Sequence, residues 1–168
     1  MSFQANYFII DDFLLKKLCS LKNDALYEKI EYMLDNDDLY PFCDIDNIYQ
    51  GLYFLISSKT EPIYDKTNFI DYAKSVFIFG DISLKTDEFI SYIKKEDVET
   101  IIKEIDKINF NQLIFEPKVF DKNKIYPNIW LKEDKDLLLE ELEMAFDQLK
   151  AFFKRAKKEN KNILITII

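Results

Sequence analysis

Apolar residues recur along this chain at two spacings, and the switches between them divide it into elements. The β-formers Phe3, Tyr7, Phe8, Ile9 and Ile10 predict a strand over residues 2–10 that stops at Asp11-Asp12. Either acid can cap the helix that follows, in which Phe13, Leu14, Leu18 and Leu21 keep helical spacing. Asp24 is placed to cap a second helix whose Leu26, Ile30, Met33 and Leu34 share one face. An acidic loop over 35–43, punctuated by Pro41, leads to Asp44 as the cap of a third helix. There Ile45, Ile48, Leu52, Leu55 and Ile56 form a helical stripe.

The polar run 57–67 with Pro62 reads as the longest surface loop, followed by a short helix over 68–74. Val76–Phe79 is a compact β run stopped by Gly80 and fits a buried central strand, and 88–93 fits another. Glu96 and Asp97 open a helix carrying Val98, Ile101, Ile102, Ile105 and Ile108, and a shorter helical piece carries Phe110, Leu113 and Ile114. Pro127 biases Tyr126 toward extended backbone, so IYPNIW is expected as an ordered segment anchored by Trp130. The longest helix spans 133–159 with acids at its start and Lys154, Arg155, Lys157 and Lys158 at its end, as the helix dipole favours. The strongly β-forming 162–168 closes the pattern and is apolar enough for the middle of a sheet. The expected fold is α+β: a single domain over 1–168, with a mixed β-sheet packed by amphipathic helices and a long C-terminal helix followed by a terminal β-strand.

Composition narrows the chemistry. Among the 168 residues there is no histidine, which removes imidazole acid–base catalysis, Ser-His-Asp and Cys-His nucleophiles and His-ligated metals. Only Gly51 and Gly80 are glycine, so no Gly-rich phosphate loop can form. The acidic run does not follow calcium-loop spacing, since Leu39 stands where a ligand is needed after Asp35 and Asp37. No metal, no cofactor and no catalytic residue is therefore assigned. A net charge of −8 argues against sequence-independent binding to nucleic acid and to anionic membranes, and no apolar stretch reaches the roughly 20 residues of a span. Cys19 and Cys43 read as buried, reduced structural thiols, and the absence of a signal-like N-terminus gives a cytoplasmic expectation.

The acidity is uneven. Between Lys29 and Lys59 no basic residue occurs, whereas Glu31, Asp35, Asp37, Asp38, Asp44 and Asp46 all do, interleaved with Tyr32, Tyr40, Tyr49 and Tyr53. Carboxylates near helix starts have a plain explanation as caps and dipole partners. The same residues also compose a surface that steers a basic protein partner, and Asp35, Asp37, Asp38, Tyr40, Asp44, Asp46, Tyr49 and Tyr53 are its candidate contacts. The alternative is a small-ligand-binding protein or an enzyme of carboxylates and tyrosines, with Gly80, Tyr126 and Trp130 as candidate pocket residues beside Asp46, Tyr49 and Tyr53. For Tyr126 and Trp130 the competing role is to pin an irregular segment to the core. Self-association is a third reading, should the C-terminal strand lie at a sheet edge, so the chain is expected as monomer or homodimer.

The stretches NYFII, CDIDNIYQGLYFLIS, ISYIKKEDVETIIKEIDKI, IYPNIW and LKAFFKRAKKENKNILITI, in this order, resemble the YfbM-like family of bacterial proteins, a domain of unknown function. NYFII resembles that family's Gly-Tyr-Phe opening, and CDIDNIYQGLYFLIS its Asp-Lys-x-Trp-x-x-(Ile/Leu)-His-x-Leu-Leu-Thr-Gly helix. ISYIKKEDVETIIKEIDKI is similar to its Tyr-Leu-Thr-Pro-Glu-Glu-Val helix entry, and IYPNIW with LKAFFKRAKKENKNILITI to its closing helix and strand. The resemblance spans essentially the whole chain and implies the fold but no reaction. Against that pattern Asp46 keeps the acid, Asn47 replaces Lys, Tyr49 replaces Trp, Tyr53 replaces His and Ser58 stands at or near the Gly, while Lys94-Lys95 replaces Thr-Pro.

Overall fold

The computed structural model describes residues 2–168. Its elements are β1 (Ala5–Ile10), α1 (Asp12–Ser20), α2 (Asn23–Leu34), β2 (Phe42–Asp44), α3 (Tyr49–Ser57), α4 (Phe69–Phe79), β3 (Ile82–Ser83), β4 (Phe89–Ile93), α5 (Lys95–Ile105), α6 (Pro117–Lys122), α7 (Lys135–Glu159) and β5 (Asn162–Ile167). The five strands form one sheet in the order β2-β1-β5-β4-β3. The α+β architecture matches the sequence, with one correction: the sheet is antiparallel throughout rather than mixed, since β1 and β4 both run opposite to the central β5.

Period-two alternation gives the sheet two buried faces. Ala5, Tyr7, Ile93, Ile163, Ile165 and Ile167 point into the larger core with α3, α4, α5 and α7. Phe8, Ile10, Ile90 and Leu164 point the other way, against Leu18 of α1 and Leu26, Ile30 and Met33 of α2. With helices on both faces, all six residues of β5 are buried. Its central place removes the edge on which self-association through that strand depended.

Val76–Phe79, expected as a strand, is the second half of α4. That helix is buried almost all round, through Tyr72, Ala73, Ser75, Val76, Phe77, Ile78 and Phe79, so its apolar residues crowd together as they would in a central strand. The side chain of Asn68 accepts the Asp71 N–H to start it, and Gly80, at φ +76°, stops it. The Tyr7 hydroxyl donates to the Ile78 carbonyl at 2.8 Å and fastens the helix to β1.

Smaller departures concern helix starts. Residues 42–44, expected to lie across a loop end and a cap, pair with β1 instead, and α3 begins only after a 3-10 turn at Asp46–Ile48. Lys22 precedes α2 without a side-chain cap, Asp24 lying in its first turn. The 110–114 helical piece is a 3-10 turn at Phe110–Gln112. Cys19 is exposed on α1 and Cys43 half-buried in β2, so neither is the fully buried thiol expected, and both are free. Burial, and then the Asp44 charge, push the Cys43 thiol up to about 12, which leaves it protonated and unreactive.

The last residue of the α3 pattern has a conformational cost. Ser58 caps α3 in the left-handed region, at φ +58°, a conformation that favours glycine. A non-glycine residue there is strained by roughly 1–2 kcal/mol, partly offset by the greater unfolded-state freedom of glycine. Ser58→Gly is thus expected to raise unfolding stability by about 0.5–1 kcal/mol, read as a higher urea midpoint at unchanged slope. A lower midpoint would contradict it.

Candidate functional site

The residues of the expected partner surface divide between solvent and core. Asp35, Asp37 and Asp38 are exposed at the end of α2 and in the turn after it, and Tyr40 is half-buried behind them. On α2 itself, Leu26, Ile30 and Met33 take the buried side, which turns Glu28, Glu31, Tyr32 and Asp35 outward. Lys29, at the edge of this face, holds its ammonium 4.6 Å from the centre of the Tyr32 ring and 4.7 Å from that of Tyr40. It also donates to the Tyr40 hydroxyl at 3.1 Å. The cation is therefore clamped between two rings, while carboxylates and the tip of Leu39, 68% exposed, face solvent. The charge and acceptor oxygen of Glu31, then some burial and the charge of Glu88, raise the Tyr27 phenol above its ordinary value.

Asp44 and Asp46 lie apart from that face, beside α7. Asp44 Oδ1 accepts the Asp46 N–H at 2.6 Å and Asp46 Oδ1 accepts the Asn47 N–H at 2.8 Å, closing the 3-10 turn. With Glu141 they border a shallow groove of about 220 Å³. Exposed carboxylates that already serve backbone N–H groups lack the burial that separates an acid from a base.

Tyr49 and Tyr53 correct the expectation that they face a partner, for both lie in the larger core. The signal was available: Tyr49, Leu52, Tyr53 and Ile56 repeat at i, i+3, i+4 and i+7, a second apolar stripe on the same helix. The Tyr53 hydroxyl donates to the Glu61 carbonyl at 3.1 Å and lies 3.0 Å from Ser75 Oγ. Tyr49 is 5% exposed, and burial followed by its neighbour Tyr126 push its phenol up to about 12.

Of the candidate pocket residues, two prove to be interior fittings. A Cβ on Gly80 would lie 2.2 Å from Ser91 Oγ, so glycine is needed for α4 to pass β4. Trp130, 1% exposed, donates from Nε1 to the Ile125 carbonyl at 2.6 Å and packs on Phe120 with ring centres 4.8 Å apart. It pins the 125–130 segment to α3. Tyr126 lies beside a cleft without lining it. Its N–H donates to Gln50 Oε1, its hydroxyl accepts the Phe3 N–H at 2.9 Å, and its ring lies 5.9 Å from that of Tyr49. Beside them opens a cleft of about 500 Å³ between the 57–67 loop, the turn before β4, and Lys124. Its walls come from places far apart in sequence, including Phe3, Tyr49, Phe79 and Phe89, and no local pattern marks them. Among the described residues no group of three or more acids or cysteines is arranged to hold a metal ion, and no helix is long and apolar enough to cross a membrane.

This arrangement, an antiparallel five-stranded sheet with the long α7 leading into its central strand, belongs to a recognised class. The chain matches the model of the family described as Domain of unknown function (DUF1877) over residues 1–166, and it belongs to that family. It is similar in structure to a protein of unknown function, YfbM, from Escherichia coli, at 18% identity and a TM-score of 0.74, with 100% of each chain covered. No curated protein matches it. At that identity the structural likeness bears on the fold alone.

Proposed function

We propose that this chain is a non-enzymatic binding module whose acidic face docks a basic protein and masks a cationic site on it. The contacts are Glu28, Glu31, Tyr32 and Asp35 on α2, with Asp37, Asp38 and Leu39 in the following turn. The observation that carries the reading is the placement of Lys29. The one cation of residues 23–58, it is held over Tyr32 and Tyr40 and, among the described residues, makes no ion pair with the neighbouring carboxylates. Exposed tyrosine and leucine among uncompensated carboxylates suit a partner rich in lysine and arginine, because aromatic anchors supply affinity and the field supplies rate. Tyr49, Tyr53, Asp44 and Asp46 are no part of this face.

The test is affinity capture from the native host with wild type and an Asp35→Lys/Asp37→Lys/Asp38→Lys variant, followed by binding kinetics with the purified captured protein. A partner of net positive charge is expected, with affinity at least about tenfold weaker for the variant and an association rate that falls with salt. Equal affinity for both forms, or a partner without positive charge, defeats the proposal.

A further inference from the structure

The cleft beside Tyr126 has a chemistry of its own. Tyr49, Phe79 and Phe89 form a continuous wall, each neighbouring pair meeting edge to face with ring centres 6.2 Å apart. Glu61, Asp87 and Glu88 stand around the same space, against Lys124 as its one cation. Tyr49 is more than nine-tenths buried as a residue and lines the cleft, and its hydroxyl, which keeps some access to solvent, hydrogen-bonds to no group among the described residues. Its neighbours differ: the Tyr53 hydroxyl is bonded to Glu61 and Ser75, and that of Tyr126 to Phe3. A hydroxyl that no protein group holds, on a residue lining an open cleft, is free to accept a ligand's N–H.

We propose that this cleft binds an organic cation with an apolar body, a primary alkylammonium or alkylguanidinium. Aromatic faces attract a weakly hydrated organic cation, the carboxylates neutralise it, and the Tyr49 oxygen accepts one of its N–H groups. The alternatives fit less well. An anion meets three carboxylates with one lysine to hold it, and a hard metal ion prefers a shell of oxygens to aromatic carbon. A neutral apolar molecule gains nothing from the charges that surround it. About 500 Å³ accommodates a ligand of small-molecule size. The cation can be a free amine or an arginine side chain of a bound protein, and the recognition is common to both. The site goes beyond the docking face and does not depend on it, since none of the α2 carboxylates lines the cleft.

Calorimetric titration of the full chain with agmatine, and separately with a capped Gly-Arg-Gly peptide, tests the proposal, with the Phe79 and Phe89 ring protons followed by NMR. Saturable binding that shifts those protons is expected for at least one probe. Binding by agmatine alone identifies a free amine as the source, and binding by the peptide alone identifies a protein side chain. The Asp87→Asn/Glu88→Gln variant, altered only at exposed positions, is expected to bind about tenfold more weakly, Tyr49→Phe severalfold more weakly, and Asp147→Asn on α7 as well as wild type. The proposal is overturned if neither probe binds at about 10 mM, if the carboxylate variant binds as tightly as wild type, or if benzoate binds more tightly than agmatine.

Discussion

Replacing Trp130 with alanine is expected to cost about 3–5 kcal/mol of unfolding stability, the largest effect of any single truncation proposed for this chain. The indole is 1% exposed, and it packs on Phe115 and Phe120 with ring centres at 6.1 and 4.8 Å. It also holds the Ile125 carbonyl. Its far edge lies over Gly51, where an added Cβ would come within 2.2 Å of Cη2 and 2.5 Å of Cζ2. Gly51 is helical and carries no unusual φ, so its role is to leave room for the ring. A double-mutant cycle follows from this geometry. Gly51→Ala alone is expected to destabilise by about 1–3 kcal/mol through overpacking, yet to cost little or even help in the Trp130→Ala background, where the methyl group enters vacated space. Urea unfolding of the four proteins measures the coupling, and additive losses would show that the ring does not rest on Gly51.

Removal of the Ser75 hydroxyl is expected to be the next most damaging small change. Ser75 is fully buried, and its oxygen donates to the Asp71 carbonyl at 2.9 Å while accepting the Ile63 N–H at 2.7 Å. The Tyr53 hydroxyl lies 3.0 Å away. One hydroxyl thus joins α4, α3 and the 57–67 loop. Ser75→Ala leaves the Ile63 N–H without an acceptor, and an unmade bond of that kind costs about 1–3 kcal/mol. The loss is also local, because Thr60, Glu61 and Pro62 on the same loop form one wall of the cleft. Amide exchange at Ile63 is expected to accelerate by more than global destabilisation alone produces, while β5 amides follow the global change. Uniform acceleration across the chain would contradict the assignment of Ser75 as the fastener of that loop.

What could be read from the sequence follows how local each feature is. The helix of Val98, Ile101, Ile102 and Ile105 and the strand at 162–167 each declare themselves within a dozen residues, and the structure has both. Val76–Phe79 did not, because a helix buried on all sides and a central strand both present unbroken apolar runs. The acidic face was legible since Asp35, Asp37 and Asp38 are sequence neighbours in one turn. Tyr49 and Tyr53 were misplaced because the Ile45–Ile56 stripe alone suggested a half-buried helix, whereas neighbours on several sides bury most of α3. The cleft was out of reach: Tyr49, Glu61, Phe79 and Phe89 meet only after α3, α4 and β4 have packed.

The middle position of β5 also constrains the order of assembly. Ala5 pairs with Ile167 and Ile10 with Asn162, so the centre of the sheet joins residues separated by nearly the full length of the chain. Closing so long a loop slows folding, and a chain emerging from the ribosome can form its helices while β1 and β4 lack the strand that lies between them. The full sheet comes together only once residues 162–167 are released, and until then the strand that joins the β1 and β4 sides is missing.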